Sequence, residues 1–543
     1  MAHDRLHESA RAGAGMVATP HRHATEAGRA VLEEGGNAVE AALAAAATLA
    51  VVCPHLSQLG GDGVWLIRDP AGRVACIDAA GPAGAGATPA FYRERGHDEI
   101  PSRGALAALT VPGQVGGWRL AQEAAHAYGG KMPMRRLLES AIEQARAGIT
   151  VSPAQHRASL ATHAALGEIP GFRDAFLEPD GKVPAVGTVT PCERLADTLA
   201  QLAGAGLDDF YRGDVGREIA ADLARAGSPV TRADLAAYRA ATRSPLTLKL
   251  PEMTLWSAPP PAQGLATLMT LALFARLGVA RPEGFAHVHG LVEATKRAFH
   301  ARDLLVTERD LLARDPADFL APQALAREAA AIDPRRAAPS KHRVAPGGAV
   351  WFGAADRSGL MVSCVQSLGA VFGAGLVLPA TGVLMHARGG AFSLNPRATG
   401  AGATTSPLAP GRRPPHTPAP GLAELPDGRV IAYGATGGDG QPQAEAAVMS
   451  RYALFGGPLG EAIAAPRWRL GGGTRPGTAG LDLEEGLDGA VAEQLASAGH
   501  EVEIAAAPFA DEMGHAGAVV LHPGRGGLEG AHDPRAEGAA GGV

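Results

Sequence analysis

Residues 349–367 limit the fold of this chain more than any other stretch. Ala349-Val-Trp-Phe-Gly-Ala-Ala-Asp356 and Leu360-Met-Val-Ser-Cys-Val-Gln-Ser367 are two β-type runs joined by Arg357-Ser358-Gly359. A three-residue loop ending in Gly predicts a hairpin with the glycine in the left-handed position. Pairing Asp356 with Leu360 and counting outward sets Ala349 opposite Ser367, and a bulge would shift that register by one residue. Phe372-Gly373-Ala374-Gly375, Thr381-Gly382-Val383-Leu384 and Phe392-Ser393 follow.

Punctuation elsewhere predicts helices. Thr25 is placed to cap a helix over 26–34, with Gly35 in the C-terminal left-handed position. Asn37 caps a second, Ala-rich helix to about residue 52. Apolar spacing predicts further helices over 135–147, 192–205, 264–277 and 287–303. The Pro-rich stretches 259–261 and 410–420 read as loops. Residues 330–348 mix Pro, Ala, Gly and basic side chains and read as an exposed linker.

A length of 543 residues by itself suggests two or more domains. With a net charge of −6 and no basic stripe, nothing points to a nucleic-acid partner. Phe, Trp and Tyr make up only 4% against 72 glycines, so the core must rely on small aliphatic residues and tight turns. Cys53, Cys76, Cys192 and Cys364 are scattered without metal-ligand spacing, which favours a reduced compartment. Residues 1–12 lack the apolar segment of a secretory signal, and the longest apolar run, 41–53, is too short to cross a bilayer. The expectation is a cytoplasmic protein with a small-molecule substrate, no membrane partner and no cofactor, its oligomeric state open.

The hairpin and its flanks resemble the start of the small subunit in the γ-glutamyltranspeptidase family, whose members are self-cleaving N-terminal-nucleophile hydrolases. The resemblance runs along nearly the whole chain. It takes in Gly15-Met-Val-Ala-Thr19, Ala24-Thr-Glu-Ala-Gly28, Gly35-Gly-Asn-Ala-Val-Glu-Ala-Ala42, Pro54-His55 and Gly60-Gly-Asp-Gly63. Val111-Pro-Gly-Gln-Val-Gly-Gly117, Pro259-Pro-Pro-Ala-Gln-Gly264 and Glu293-Ala-Thr-Lys-Arg-Ala-Phe299 follow in order. Gly437-Gly-Asp439, Ala465-Pro-Arg-Trp468 and Asp533-Pro-Arg535 complete it. It implies an α/β (α+β) fold, a four-layer αββα sandwich. Residues 1–348 would form the large subunit and residues 349–543 the small one, interleaved in one catalytic body. Cleavage would fall between Gly348 and Ala349.

In the family the residue at that junction is a Thr whose hydroxyl is the nucleophile and whose freed α-amine is the base. An α-amine titrates at about 7.7–8.0, close to working pH. Here the position is Ala349, and no Ser, Thr or Cys occurs from 344 to 356. As written, the chain neither cuts itself nor attacks a substrate by that route.

The resemblance assigns the remaining site residues one at a time. Gly437 and Gly438 match the oxyanion hole, where such donors contribute about 2.7–4 kcal/mol; a plain turn is the other reading. Ser367 stands where the family has a Thr that touches the nucleophile, or is simply a strand serine. His416 and Thr417 match a Ser-Ser pair that binds substrate carboxylate, so only the second hydroxyl is kept. Ala391, Gly369 and the absence of Arg from 78 to 87 remove other partners of a glutamyl head group. Arg388 replaces a family Gln. Its fork suits a carboxylate without a neighbouring ammonium, as in oxamate-like amides, dicarboxylic monoamides or the glutaryl amides handled by related cephalosporin acylases. A structural salt bridge is the alternative.

Other features promise less. His21 and His23, like His287 and His289, are spaced as metal pairs, yet no third ligand cluster accompanies either, so they read as surface or cap histidines. Glu293, Lys296 and Asp303 read as an ion-pair face on one helix. Cys364 points away from Ser367. Two functions remain open: an amidohydrolase of this family present as an inactive, uncleaved precursor, or a pseudoenzyme that binds a small carboxylate or a partner without turnover.

Overall fold

The computed structural model describes residues 8–543 apart from 306, 313, 341, 343–346, 396–405, 473–479, 505–506 and 525. Two seven-stranded sheets, antiparallel at every pairing, lie face to face. One runs Ala539–Gly542, Gly15–Thr19, Gly348–Asp356, Met361–Gly369, Asp62–Arg68, Val74–Ala79, Ala241–Arg243. The other runs Ala10–Ala12, Leu528–His532, Ala516–Leu521, Val430–Ala435, Gly421–Glu424, Thr254–Ser257, Leu246–Lys249. Strands from before and after the 348–349 bond are neighbours in both sheets.

Alternation along Gly348–Asp356 divides its side chains between two cores. Val350, Phe352 and Ala354 meet the helices, chiefly the Ala-rich Ala38–Val52. Ala349, Trp351 and Ala355 instead meet Leu422, Ala432 and Val519 of the opposite sheet. That sheet's far face, with Leu255, Ile431 and Tyr433, is covered by Gly264–Ala275, Phe285–Leu305 and Gln441–Met449. The result is the expected four-layer αββα sandwich. Its sheets approach closely because small residues allow it. Trp351 lies flat on Gly434 and Gly517, where an added Cβ would fall 2.1 Å and 2.3 Å from the indole.

The hairpin forms as its loop predicts. Asp356 N donates to Leu360 O at 3.1 Å, Gly359 has φ 90, and Ala349 pairs with Ser367. A bulge between Gly348 and Ala349 moves Gly348 opposite Gly369, just outside the pair that matters. Asn37 and Glu40 form a reciprocal capping box for Ala38–Val52. The helices Met134–Ala147, Glu193–Ala205, Gly264–Ala275 and Phe285–Leu305 lie within two residues of expectation.

Two expectations need correction. The first helix is Arg22–Glu33, capped by the His21 ring through His23 N, so Thr25 lies inside it. Thr25 spends its hydroxyl on Thr19 and on Ala539 O instead. The linker is not exposed along its length: Gly348 and Ala349 are buried at its end. Residues 341 and 343–346 of it lie outside the described residues. Among the described residues no helix is long and apolar enough to cross a membrane, and all four cysteines are free thiols.

Beneath the second sheet Glu445 is 1% exposed, with Thr267 Oγ1 donating to Oε2 at 2.6 Å and no partner at Oε1. Burial pushes its carboxyl well above the ordinary range, so the folded protein keeps a proton that the unfolded chain releases. Stability therefore falls as pH rises from about 4.3, the unfolded value, towards the folded one, by about 1.4 kcal/mol per unit of displacement. Glu445→Gln should melt at a higher temperature than the parent at pH 7 and respond less to pH, as calorimetry would register. A parent-like response to pH would contradict the upward shift of Glu445.

Candidate active site

Three adjacent strands place Asp62, Ser367 and Ala349 in one row, Asp62 opposite Ser367 and Ser367 opposite Ala349. Directly paired residues project to the same face, here the face turned to the second sheet. Ser367 Oγ donates to Gly348 O at 2.7 Å and accepts from Gly369 N at 3.0 Å. The carbonyl of the 348–349 peptide bond is thus already polarised by a hydroxyl. Cys364 lies on the helix-covered face, and burial pushes its thiol well above its usual value. It is no substitute nucleophile.

Gly437 and Gly438 follow the strand Val430–Ala435 and precede the helix Gln441–Met449, with φ 110 and 60. Backbone meets backbone here: a Cβ on Gly347 would lie 2.6 Å from Gly438 Cα and 2.8 Å from Gly438 N. The chain entering the 348–349 bond therefore rests on the glycine pair. Gln263 Nε2 donates to both Thr417 O and Gly438 O at 2.9 Å, which fixes their separation. Arg302 supports Gln263 Oε1 and Asp439 at 3.1 Å each and meets His342 of the linker at 3.0 Å.

Arg388 closes the site. Its Nη2 donates to Thr417 Oγ1 at 3.0 Å and reaches Ser367 Oγ at 3.4 Å. The side chain is 8% exposed, yet no carboxylate among the described residues lies within ion-pair distance of it. Burial lowers its pKa, opposed by the more distant Asp62 and Asp439, and guanidinium stays charged. Arg413 shows the contrast, since it is paired with both Asp78 and Glu308.

Behind Arg388 sits a buried acid between two imidazoles. Asp62 Oδ2 lies 3.2 Å from His386 Nδ1 and 3.9 Å from His416 Nε2. Burial alone would raise the Asp62 carboxyl, but His386 and, more weakly, Arg388 hold it below its ordinary value. Burial lowers His416 to about 3, with Arg388 also lowering it and Asp62 opposing, so its ring is neutral.

Ala349, Ser367, Gly437, Gly438, Arg388, His416 and Thr417, far apart in sequence, come together in one place. Sequence reasoning reaches Asp62 and Gln263 only as members of motifs, without a role, and it passes over His386. The one available signal is an acid flanked by glycines at a strand start. The metal-pair histidines also need correction. His287 and His289 are buried on Phe285–Leu305 rather than at the surface, and His289 does meet Glu293 and His500. Every member of that trio is already engaged: His289 with His500 at 2.9 Å and Asp333 O at 2.8 Å, Glu293 with Lys296 at 2.6 Å.

The sequence profile of the family described as gamma-glutamyltranspeptidase matches residues 24–543. The chain is 45% identical over 538 residues to the oxamate amidohydrolase proenzyme of Klebsiella pneumoniae, covering 99% of this chain and 100% of that protein. It is 33% identical to a glutathione hydrolase-like proenzyme of Bacillus subtilis, covering 97% and 98%. Among solved structures, cephalosporin acylase from Bacillus halodurans superposes with a TM-score of 0.86 at 28% identity, over 99% of this chain and 97% of that one. This chain belongs to the γ-glutamyltranspeptidase family.

Proposed function

We propose that the site is that of an N-terminal-threonine amidohydrolase for short amides that carry a carboxylate beside the acyl carbon, with oxamate the leading substrate. The present chain, with Ala349 at the nucleophile position, is its uncut and inactive precursor. The observation that carries this reading is Arg388, buried and charged without an acid partner, next to the hydroxyl that polarises the scissile carbonyl. A buried cation without a counter-ion is costly unless a ligand supplies one.

Distance narrows the acyl group. Ser367 Oγ links Arg388 Nη2 and Gly348 O, which keeps those two atoms within about 6 Å of each other. A carboxylate accepts from guanidinium at about 2.7–2.9 Å. What remains accommodates a carboxylate on the acyl carbon or one carbon away, while a glutaryl chain overshoots. An α-ammonium finds Ala391 where the glutamyl enzymes of the family offer an acid. The 45% identical relative, named for oxamate, supports the same choice.

In the mechanism this implies, the hydroxyl restored by Ala349→Thr attacks the amide carbon while the freed α-amine of the same residue takes its proton. The oxyanion forms against Gly437 and Gly438. The amine delivers the proton to the departing nitrogen, and water then hydrolyses the ester. The test is ammonia release by the Ala349→Thr variant from oxamate, a glutaryl amide and a γ-glutamyl amide, with oxamate expected to be preferred by at least about a hundredfold in kcat/KM. Preference for the γ-glutamyl amide would overturn the assignment. Ala349 itself favours a second reading, a pseudoenzyme that binds the anion without turnover. An uncut Ala349→Thr chain that oxamate still stabilises would decide for it.

A further inference from the structure

Asp62 divides its two carboxylate oxygens between separate tasks. Its Oδ1 accepts from Gly81 N at 3.2 Å and Gly113 N at 3.0 Å, which fixes the carboxylate plane. Its Oδ2 is left facing His386 and His416. Each imidazole belongs to a segment that delivers one half of the anion pocket. His386 stands two residues before Arg388, and His416 immediately precedes Thr417.

We propose that Asp62 is the positioning residue of this pocket, tying the Arg388 segment and the Thr417 segment to the strand beside the nucleophile hairpin. The inference rests on the reading of Arg388 and Thr417 as the carboxylate site. It concerns what holds them, which neither the family resemblance nor the relatives address.

The backbone around each histidine is consistent with such a tie. His386 N donates to Gly60 O at 3.0 Å, and Leu384 passes so close that a Cβ on Gly60 would fall 2.2 Å from Leu384 O. His386 Nε2 lies 3.1 Å from Thr110 Oγ1, so Nδ1 is the atom turned to Asp62 Oδ2, 3.2 Å away in an electrostatic contact outside hydrogen-bond geometry. His416 N donates to Pro261 O at 2.8 Å, but neither ring nitrogen has a hydrogen-bond partner, although the residue is only 2% exposed. Asp62 is the acid nearest that ring. The same carboxylate supports the Arg388 charge from a distance. It lies too far to take the guanidinium's hydrogen bonds, and so leaves them for a substrate.

Asp62→Asn keeps an oxygen for Gly81 and Gly113 but removes the charge shared by the two imidazoles. His386→Gln leaves Asp62 and its two amide bonds untouched and cuts the tie to the Arg388 segment alone, so it stands in if Asp62→Asn does not fold. Calorimetric titration of the full chain with oxamate should show affinity reduced by about tenfold or more in either variant. Nitrogen NMR of the imidazoles should show a changed His386 Nδ1 signal in Asp62→Asn. A role confined to the Gly81 and Gly113 amides would leave the His386→Gln titration unchanged. Parent-like affinity in both variants overturns the proposal. If the parent itself fails to bind oxamate, the substrate reading falls instead. The positioning claim is then decided by a crystal structure of Asp62→Asn, where an unmoved contact between Arg388 Nη2 and Thr417 Oγ1, 3.0 Å in the parent, would refute it.

Discussion

Ala349→Thr is expected to convert the single chain into two, residues 1–348 and 349–543, without any added protease. The parent should stay intact under the same conditions. The groups that such a reaction needs are in place around the bond. Ser367 Oγ donates to the Gly348 carbonyl oxygen at 2.7 Å, and Gly347 packs on Gly438. Ala349 faces the space between the sheets, in the apolar cluster that also holds Ala258 and Ala262. The introduced hydroxyl oxygen would attack the Gly348 carbon and the C–N bond would break. Water would then hydrolyse the resulting ester, leaving a carboxylate on Gly348 and a free α-amine on the new N-terminal threonine. Removing a nucleophile of this kind costs about 10⁶ in rate, so restoring it is close to all-or-none. Denaturing gels and N-terminal sequencing that reads Thr-Val-Trp-Phe would establish scission at this bond. Adding Ser367→Ala should slow it by about a hundredfold, the usual effect of losing one donor to a developing oxyanion. An uncut Ala349→Thr chain would remove residue 349 from the nucleophile role.

How much of this was legible in the sequence depends on whether the signal was local. The pairing of Ala349 with Ser367 was, because a three-residue loop closed by Gly359 leaves little choice of register. Asn37 with Glu40 was legible for the same reason, as a cap and its reciprocal acid lie three residues apart. His21 as a cap was not, since imidazole is outside the residues that usually cap helices and Thr25 offered a better local match. Asp62 was invisible as a functional residue because its meaning depends on two histidines more than 300 positions away. The burial of Gly348 was hidden too: a Gly-Gly pair after a basic, Pro-containing stretch looks like solvent-exposed chain until Ala370 and Val371 close on Gly348 and the turn at Gly438 closes on Gly347. Arg388 lay between these cases. Its position followed from the order of motifs, but whether an acid would neutralise it was a question only the folded chain could answer.

That answer gives Arg388→Gln two effects of opposite sign. Made together with Ala349→Thr, it should lower kcat/KM for oxamate by about 30- to 4,000-fold, the range for removing one side of a buried charged contact worth about 2–5 kcal/mol. Most of the loss should appear in KM, because the carboxylate is held equally in the ground state and the transition state. Oxamide, with the same reacting carbon and no charge, should lose little. Self-scission should also change little, since Ser367 and the glycine pair serve that step without a carboxylate. The fold, by contrast, should gain. A guanidinium that is buried with only hydroxyl partners carries a desolvation cost that the distant Asp62 and Asp439 repay only in part, and Gln removes it while still able to bond Thr417. A melting midpoint above that of the parent, together with the collapse in oxamate turnover, is the joint signature of a residue kept for a ligand. A structural salt bridge would give the reverse, with a lower midpoint and unchanged kinetics, and that pair of results would return Arg388 to the scaffold.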